Sequence, residues 1–203
     1  MQTILTTLII VSGVVCAQGQ GTVDFRNGGI TFRTVADRRV YVGAGCSVPL
    51  VGTNYVAGLY YMAGANAPID APTAGTQAGA LAHFRQPTTT RPGIWLNPTD
   101  VGNTRILDGV IFGQTATIQI RVWDSSKYSS YADAFAHGES GASAPFNYTV
   151  PQPGDLSPDA YYMDNLRAFG GFPCPEPSTA ALLAVSAIAW LWLRRKGRRD
   201  LPF

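Results

Sequence analysis

Residues 116–123, Ala-Thr-Ile-Gln-Ile-Arg-Val-Trp, decide the expected fold class of this 203-residue chain. Apolar side chains stand at every second position of this stretch, and the polar side chains of Thr117, Gln119 and Arg121 stand between them. A period of two predicts a β-strand with one buried face and one more solvated face. Trp123 ends the strand on its polar face.

Short strands separated by turns are expected on both sides of this stretch. Residues 146–150 alternate in the same way between Pro145 and Pro151. Residues 55–62 are apolar at both parities, which predicts a central strand covered on both faces. One helix is expected at residues 129–137, where Tyr131 and Phe135 share a face. Further short strands are expected at residues 22–25, 30–35, 39–42, 81–85, 93–96 and 106–112.

These elements predict an all-β domain over residues 18–174. Short strands between Gly, Pro and Asn turns favour an antiparallel β-sandwich, and they leave an immunoglobulin-like and a jelly-roll arrangement open. A segment of this length buries about 70% of its unfolded surface, so no cofactor is needed for folding.

Composition excludes a disordered protein, and charge disfavours a nucleic-acid-binding protein. Hydrophobic residues make up 46% of the chain and charged residues 14%, which is too apolar for a disordered protein. Residues 18–174 carry ten basic and eleven acidic side chains. No surplus of positive charge is available there to neutralise phosphates, so nucleic acid is not an expected partner.

Residues 1–17 have the pattern of an export signal. Residues 4–15 form an uncharged, mostly apolar run, and Val15-Cys16-Ala17 suits signal peptidase cleavage before Gln18. We therefore expect residues 1–17 to be a signal peptide. A buried strand or helix and lipidation of Cys16 are the alternatives.

Residues 175–199 contain three features in order. The segment Pro175-Glu176-Pro177-Ser178-Thr179 comes first, an apolar run at residues 179–193 follows, and a basic cluster occupies residues 194–199. The prolines prevent a helix before Ser178, which suits an N-cap. A helix over residues 179–193 would be about 22 Å long, shorter than the ~30 Å hydrocarbon core of a bilayer.

A single short transmembrane helix is therefore expected, with the basic cluster in the cytoplasm and the body outside. A buried core helix would explain the apolar run but not the five cations after it. The expected membrane-anchor residues are Ala180, Leu182, Leu183, Trp190, Trp192 and Leu193. The expected basic stop residues are Arg194, Arg195, Lys196, Arg198 and Arg199.

Together the three features resemble the PEP-CTERM sorting signal of exported proteins from Gram-negative bacteria. The resemblance implies that Pro175, Glu176 and Pro177 are recognised by an exosortase, a membrane cysteine transpeptidase, and that the helix is then removed. It also implies export through the inner membrane, a transient or permanent membrane tether, and delivery to the cell surface or its polysaccharide matrix.

Patches of the body are similar to segments of small PEP-CTERM proteins from Verrucomicrobia-like bacteria. They include residues 20–25, 52–57 and 115–124. This second resemblance implies a fold and a location without a reaction.

Signs of catalysis in the body are weak. His83 and His137 lie in different predicted elements, and no Gly-x-Ser-x-Gly nucleophile motif accompanies them. The acidic residues of the body are ten Asp and Glu139, which suits turns better than a glycosidase carboxylate pair. No metal or other cofactor is expected. A single Ca²⁺ site on an Asp-rich loop, near Asp100 and Asp108, stays open as an alternative.

Cysteine and aromatic side chains supply two further candidate features. Cys46 and Cys174 remain after removal of the signal and are a candidate disulfide in an oxidising periplasm. Several aromatic rings are candidates for stacking on a sugar, although alternation along strands favours core packing for them. They are Trp95, Trp123, Tyr60, Tyr61 and Tyr128.

The sequence thus predicts a non-enzymatic, exported protein that is a structural or adhesive component of the cell surface or extracellular matrix. The alternative hypothesis is a carbohydrate-binding module for extracellular polysaccharide.

Overall fold

The computed structural model describes residues 19–43, 48–155 and 157–172. Within these ranges the protein consists mostly of strands in antiparallel sheets, so the all-β prediction is confirmed. In chain order the strands are β1 (Gln20–Asp24), β2 (Val40–Tyr41), β3 (Tyr55–Ala63), β4 (Thr76–Gln77), β5 (Ala82–Phe84), β6 (Trp95–Leu96), β7 (Thr104–Ile111), β8 (Thr115–Asp124), β9 (Ser140–Ala142), β10 (Phe146–Thr149) and β11 (Phe169–Gly170). Helix α1 (Tyr131–Ala136) lies between β8 and β9, and a 3-10 turn (Pro158–Tyr161) precedes β11.

The largest sheet has the strand order β10-β8-β3-β5-β6, with β4 paired to β3 and β9 paired to β8. Strands β3 and β8 pair along their whole shared length, from Tyr55 opposite Asp124 to Ala63 opposite Ala116. Strand β3 therefore has neighbours on both sides, and the prediction of a central strand at residues 55–62 is confirmed.

The main hydrophobic core joins this sheet to the two-stranded antiparallel sheet of β1 and β7. Leu59 on β3 and Ile120 on β8 contribute fully buried side chains to the same cluster as Val23 on β1 and Leu107 on β7. Burying one such aliphatic side chain stabilises the fold by about 1.5–3 kcal/mol. Because the apolar residues of β8 alternate with polar ones, their side chains share one face and pack into this core.

The other face of β8 is also covered, and the prediction of a more solvated face there is wrong. Thr117, Gln119 and Arg121 are 1%, 4% and 0% exposed. The segment that follows β3 packs over them: Thr117 Oγ1 donates to the Gly64 carbonyl at 2.8 Å, and Arg121 donates to the Ile69 carbonyl at 2.6 Å. Polar side chains can lie under this layer because each finds a hydrogen-bond partner.

Helix α1 packs on the same face of β8 as the segment that follows β3. Ser130 is its N-cap, and the Ser130 side chain accepts a hydrogen bond from the Asp133 backbone N–H at 3.2 Å. Its buried residues Tyr131 and Ala134 form a second hydrophobic cluster with Val56 and Trp123. The helix predicted at residues 129–137 is therefore confirmed, with slightly shorter bounds.

Residues 30–35 do not form the predicted strand. Instead, the Arg33 backbone N–H donates to Asp164 Oδ1 at 3.0 Å, and Thr34 Oγ1 donates to the Asp164 carbonyl at 3.0 Å. Val35 is fully exposed. These side-chain hydrogen bonds hold residues 30–35 to the last part of the described chain. They take the place of the backbone hydrogen bonds that a strand would form in a sheet.

The last described residues are anchored in the body. Strand β11 pairs in parallel with β2, with Phe169 opposite Val40. Phe172 is 8% exposed, and its ring meets that of Tyr55 edge-on at 4.9 Å. Within the ranges given above, no helix has the length and apolar character needed to cross a bilayer. The predicted signal peptide, Cys46, Cys174, the sorting motif, the membrane helix and the basic cluster all lie outside the described residues.

Candidate functional site

The two tryptophans proposed to stack on sugar lie inside the protein. Trp95 is 3% exposed and belongs to the main core, where it packs 4.9 Å from the Phe25 ring. Trp123 is 2% exposed and belongs to the second cluster, where it meets Tyr131. A sugar needs an accessible ring face, which neither indole presents, so the stacking role at Trp95 and Trp123 is corrected to core packing.

The three candidate tyrosines are also held by protein contacts. Tyr61 is 4% exposed, and its hydroxyl donates to the Asp108 carbonyl at 3.1 Å. Tyr60 is half-buried beneath the Arg121 guanidinium, whose Cζ lies 4.4 Å from the ring centroid. Tyr128 is half-buried and stacks on His137, with 5.1 Å between ring centroids. These rings do not assemble into one platform.

An open groove lies instead at the β5–β6 edge of the large sheet. It has a volume of about 590 Å³, within the range of small-molecule sites. Its residues come from β5, β6 and the loops that flank them. They are Thr53, His83, Phe84, Arg85, Gln86, Thr88, Thr89, Leu96, Asn97, Pro98 and Thr99.

Strand alternation places His83 and Leu96 on the exposed side of this edge. His83 is exposed between buried Ala82 and Phe84. It lies directly opposite Leu96, which is 55% exposed. The Nδ1 atom of His83 lies 2.9 Å from the Thr53 carbonyl, which can only accept, so Nδ1 carries the hydrogen. When Nδ1 carries the hydrogen of the neutral ring, Nε2 is the acceptor nitrogen.

Arg85 is the unusual member of the groove. Its Nε is shielded from water and has no hydrogen-bond partner among the described residues. Within the described part of the chain, its guanidinium forms no ion pair. Its backbone is held, because the Arg85 carbonyl accepts from the Gly52 N–H at 2.8 Å. A shielded donor without an acceptor is rare in proteins and has a destabilising effect unless a partner binds.

Two tight turns form the sides of the groove. In one, the Thr89 N–H donates to the Gln86 carbonyl at 3.0 Å, and in the other the Gly102 N–H donates to the Pro98 carbonyl at 3.0 Å. Asn97, which is 8% exposed, fixes the second side by donating to the Phe25 carbonyl at 2.6 Å.

Buried Arg105 supports the same side. It donates to Asn97 Oδ1 at 2.7 Å and to the Gly102 carbonyl at 3.0 Å. Burial lowers the pKa of Arg105. Because its hydrogen bonds end on neutral oxygens, Arg105 positions the turn without neutralising any carboxylate.

The candidate chemical residues do not gather at one point. His83 lies at the groove, whereas His137 lies beyond α1, where its Nδ1 is 2.9 Å from the Asp133 carbonyl. Within the three described ranges, no three His, Cys, Asp or Glu side chains are close enough together to hold a metal ion. Asp100 and Asp108 are exposed loop and strand residues.

No protein-family model, no curated protein and no solved structure matches this chain.

The groove was not found from the sequence. Strands at residues 81–85 and 93–96 were predicted, and the Pro- and Thr-rich residues 86–92 between them mark a loop. This loop is the feature of the sequence that could have indicated a groove. The position of the opposite side depends on the hydrogen bonds of Asn97 with Arg105 and with the Phe25 carbonyl, and Phe25 lies 72 positions away in the sequence.

Proposed function

We propose that this chain is an exported protein whose β body serves the cell surface or extracellular matrix as a structural or adhesive component, without catalysis of its own. On this proposal residues 1–17 direct export, and an exosortase recognises Pro175, Glu176 and Pro177 and removes the membrane helix at residues 179–193. The body is a β-sandwich in which the β1–β7 sheet packs on the large sheet.

The single observation that carries the proposal is the order of features after the body. Phe172 still packs on Tyr55, and the Pro-Glu-Pro motif begins three residues later. The apolar run and five basic residues then follow within residues 179–199. A compact domain followed directly by a short apolar segment and cations suits a protein that is held at a membrane during sorting.

Cell fractionation with mass spectrometry of the protein termini tests this proposal. We expect a mature chain that begins at Gln18, ends near residue 175, and lies at the surface or in the matrix. Replacing Pro175, Glu176 and Pro177 by Ala should leave the unprocessed chain in the membrane fraction. The matched control is Pro153→Ala in the exposed connector, which should be sorted normally. An unprocessed wild-type chain in the cytoplasm would end the proposal.

Binding of extracellular polysaccharide is the second candidate function. The observation that favours it is the groove at the β5–β6 edge, which combines an apolar strip at Leu96 and Pro98 with hydroxyl and amide side chains. Sugars offer the same combination of apolar and hydrogen-bonding surface. A glycan array with the purified protein tests this function, and loss of binding in Leu96→Asp with the fold retained is the expected result.

A further inference from the structure

We infer that the groove at the β5–β6 edge binds a carboxylate-bearing oligosaccharide, with Arg85 as the ligand of the carboxylate. The inference rests on the second candidate function above and specifies the class of sugar. It starts from Arg85, a lining residue of the groove whose shielded Nε has no hydrogen-bond partner among the described residues.

The other described arginines have different surroundings. Arg33 and Arg39 pair with Asp159 and Asp37 at 2.8 and 2.9 Å. Arg38 also has a shielded Nε with no partner in the described ranges, but its Nη2 donates to the Asp164 carbonyl at 2.8 Å. Arg91 is exposed to water. Arg85 therefore combines a shielded, unsatisfied donor with a position on an open groove.

The charge of the groove favours an anion. None of its lining residues is an Asp or Glu, whereas Arg85 is a permanent cation. The body as a whole has one more acidic than basic side chain, so this local excess of positive charge is not an average property of the surface. A guanidinium can hold a carboxylate through two parallel hydrogen bonds.

The remaining lining residues favour a sugar as the carrier of that carboxylate. Thr53, Thr88, Thr89, Thr99 and Gln86 offer hydroxyl and amide groups, and His83 offers Nε2 as an acceptor. Leu96 and Pro98 offer apolar contact. A uronic acid residue has a carboxylate, several hydroxyls and an apolar face, which match the three kinds of group that line the groove.

The test measures binding of oligogalacturonate by the full-length protein in detergent, with the methyl-esterified oligomer as the uncharged comparison. We expect the acid to bind at least about tenfold more tightly than the ester, and Arg85→Gln to remove most of that difference. Arg85→Lys, which keeps the charge but loses the planar fork, should have intermediate affinity. Arg91→Gln, an equal change of charge outside the groove lining, should alter affinity less than about twofold.

Each other outcome overturns the inference. Equal binding of acid and ester by the wild type would leave polysaccharide binding intact and remove the preference for carboxylates. No binding of either oligomer would also remove this class of ligand from the second candidate function. An equal loss in Arg85→Gln and Arg91→Gln would show non-specific charge attraction. Fractionation of the Arg85→Gln protein separates these results from the export proposal, since its sorting should be normal.

Discussion

The backbones of Gly141 on β9 and Gly171 after β11 are in contact, and a Cβ on either glycine would overlap the backbone of the other. Strand β9 is paired to β8 in the large sheet, whereas β11 is paired to β2. The glycine contact therefore joins the large sheet to the β2–β11 pair, next to the last described residue, Phe172. Only a residue without a side chain permits such a close approach of two backbones.

Gly171→Ala should destabilise the protein by about 2–3 kcal/mol, because a methyl group meets backbone atoms that cannot rotate away. The loss is expected in the free energy of unfolding from urea denaturation. Ala144→Ser, which adds one atom at an exposed position of the same region, should change that value by less than about 0.5 kcal/mol. Equal stability of the two variants would contradict the contact.

Trp123→Phe should be tolerated better than Trp95→Phe. Trp95 Nε1 donates to the Phe25 carbonyl at 3.0 Å, whereas Trp123 Nε1 is buried and finds no acceptor in the described part of the chain. Both changes remove the same volume, but only the change at position 123 removes an unsatisfied donor, so it should be less destabilising by about 1–3 kcal/mol. The comparison uses urea denaturation of both variants, and a larger loss at position 123 would refute it.

Arg121→Lys should destabilise the protein by about 2–3 kcal/mol. The guanidinium donates to the carbonyls of Ile69 and Pro72 at 2.6 and 2.9 Å, and its Cζ lies over the rings of Tyr60 and Tyr131, 4.4 and 4.9 Å from their centroids. A lysine ammonium has no planar fork, so it cannot reach all these acceptors and contact both rings at once.

The same variant should also be cut earlier by proteases at residues 66–72, because Arg121 holds that segment. Denaturation and limited proteolysis measure the two effects. Arg91→Lys at an exposed position is the control, and a result for Arg121→Lys within about 0.5 kcal/mol of it would disprove this role.

Asp124→Asn should have an effect that depends on pH. Partial burial raises the pKa of Asp124, but hydrogen bonds from Ser126 and Asn54 outweigh it, and the pKa lies below the usual 3.8. A carboxyl with a lowered pKa in the folded state stabilises the fold above its unfolded pKa, and this stabilisation disappears as the pH falls. The variant should therefore be about 1–2 kcal/mol less stable than wild type at pH 7.

This difference should shrink as the pH is lowered from about 4 towards 2. Urea denaturation at a series of pH values measures it, with Asp100→Asn at an exposed loop position as the control. A difference that stays constant down to pH 2 would mean that the charge of Asp124 has no part in it.

The Cys46–Cys174 disulfide stays a prediction, and one described feature supports it. Strands β2 and β11 run parallel, and Cys46 and Cys174 follow their last residues by five and four positions in the sequence. Peptide mapping of the exported protein without reduction should yield one cross-linked peptide, which Cys46→Ser should abolish and Cys16→Ser should not. Recovery of two free thiols would exclude the disulfide.

The local pattern predicted the strands well and the surroundings of their side chains poorly. Alternation predicts the strand at residues 116–123, and a continuous apolar run predicts the strand at residues 55–62; both patterns are properties of neighbouring residues. The strand prediction at residues 30–35 is wrong for a different reason. Arg33 and Thr34 donate hydrogen bonds to Asp164, which lies about 130 positions away in the sequence. Arg85 could not be singled out, because the absence of an acceptor near its Nε depends on every loop around it.

Local alternation is enough to predict that residues 116–122 form a strand whose apolar side chains share one face, because a repeat of two is the periodicity of a β-strand. The burial of the opposite face follows from the folded arrangement and not from this pattern. Gln119 and Arg121 lie there because residues 70–72, about 50 positions away, supply oxygens for both side chains, and Tyr131 of helix α1 supplies an aromatic ring for Arg121. Burial of a polar side chain depends on its partners in space, which no stretch of neighbouring residues contains.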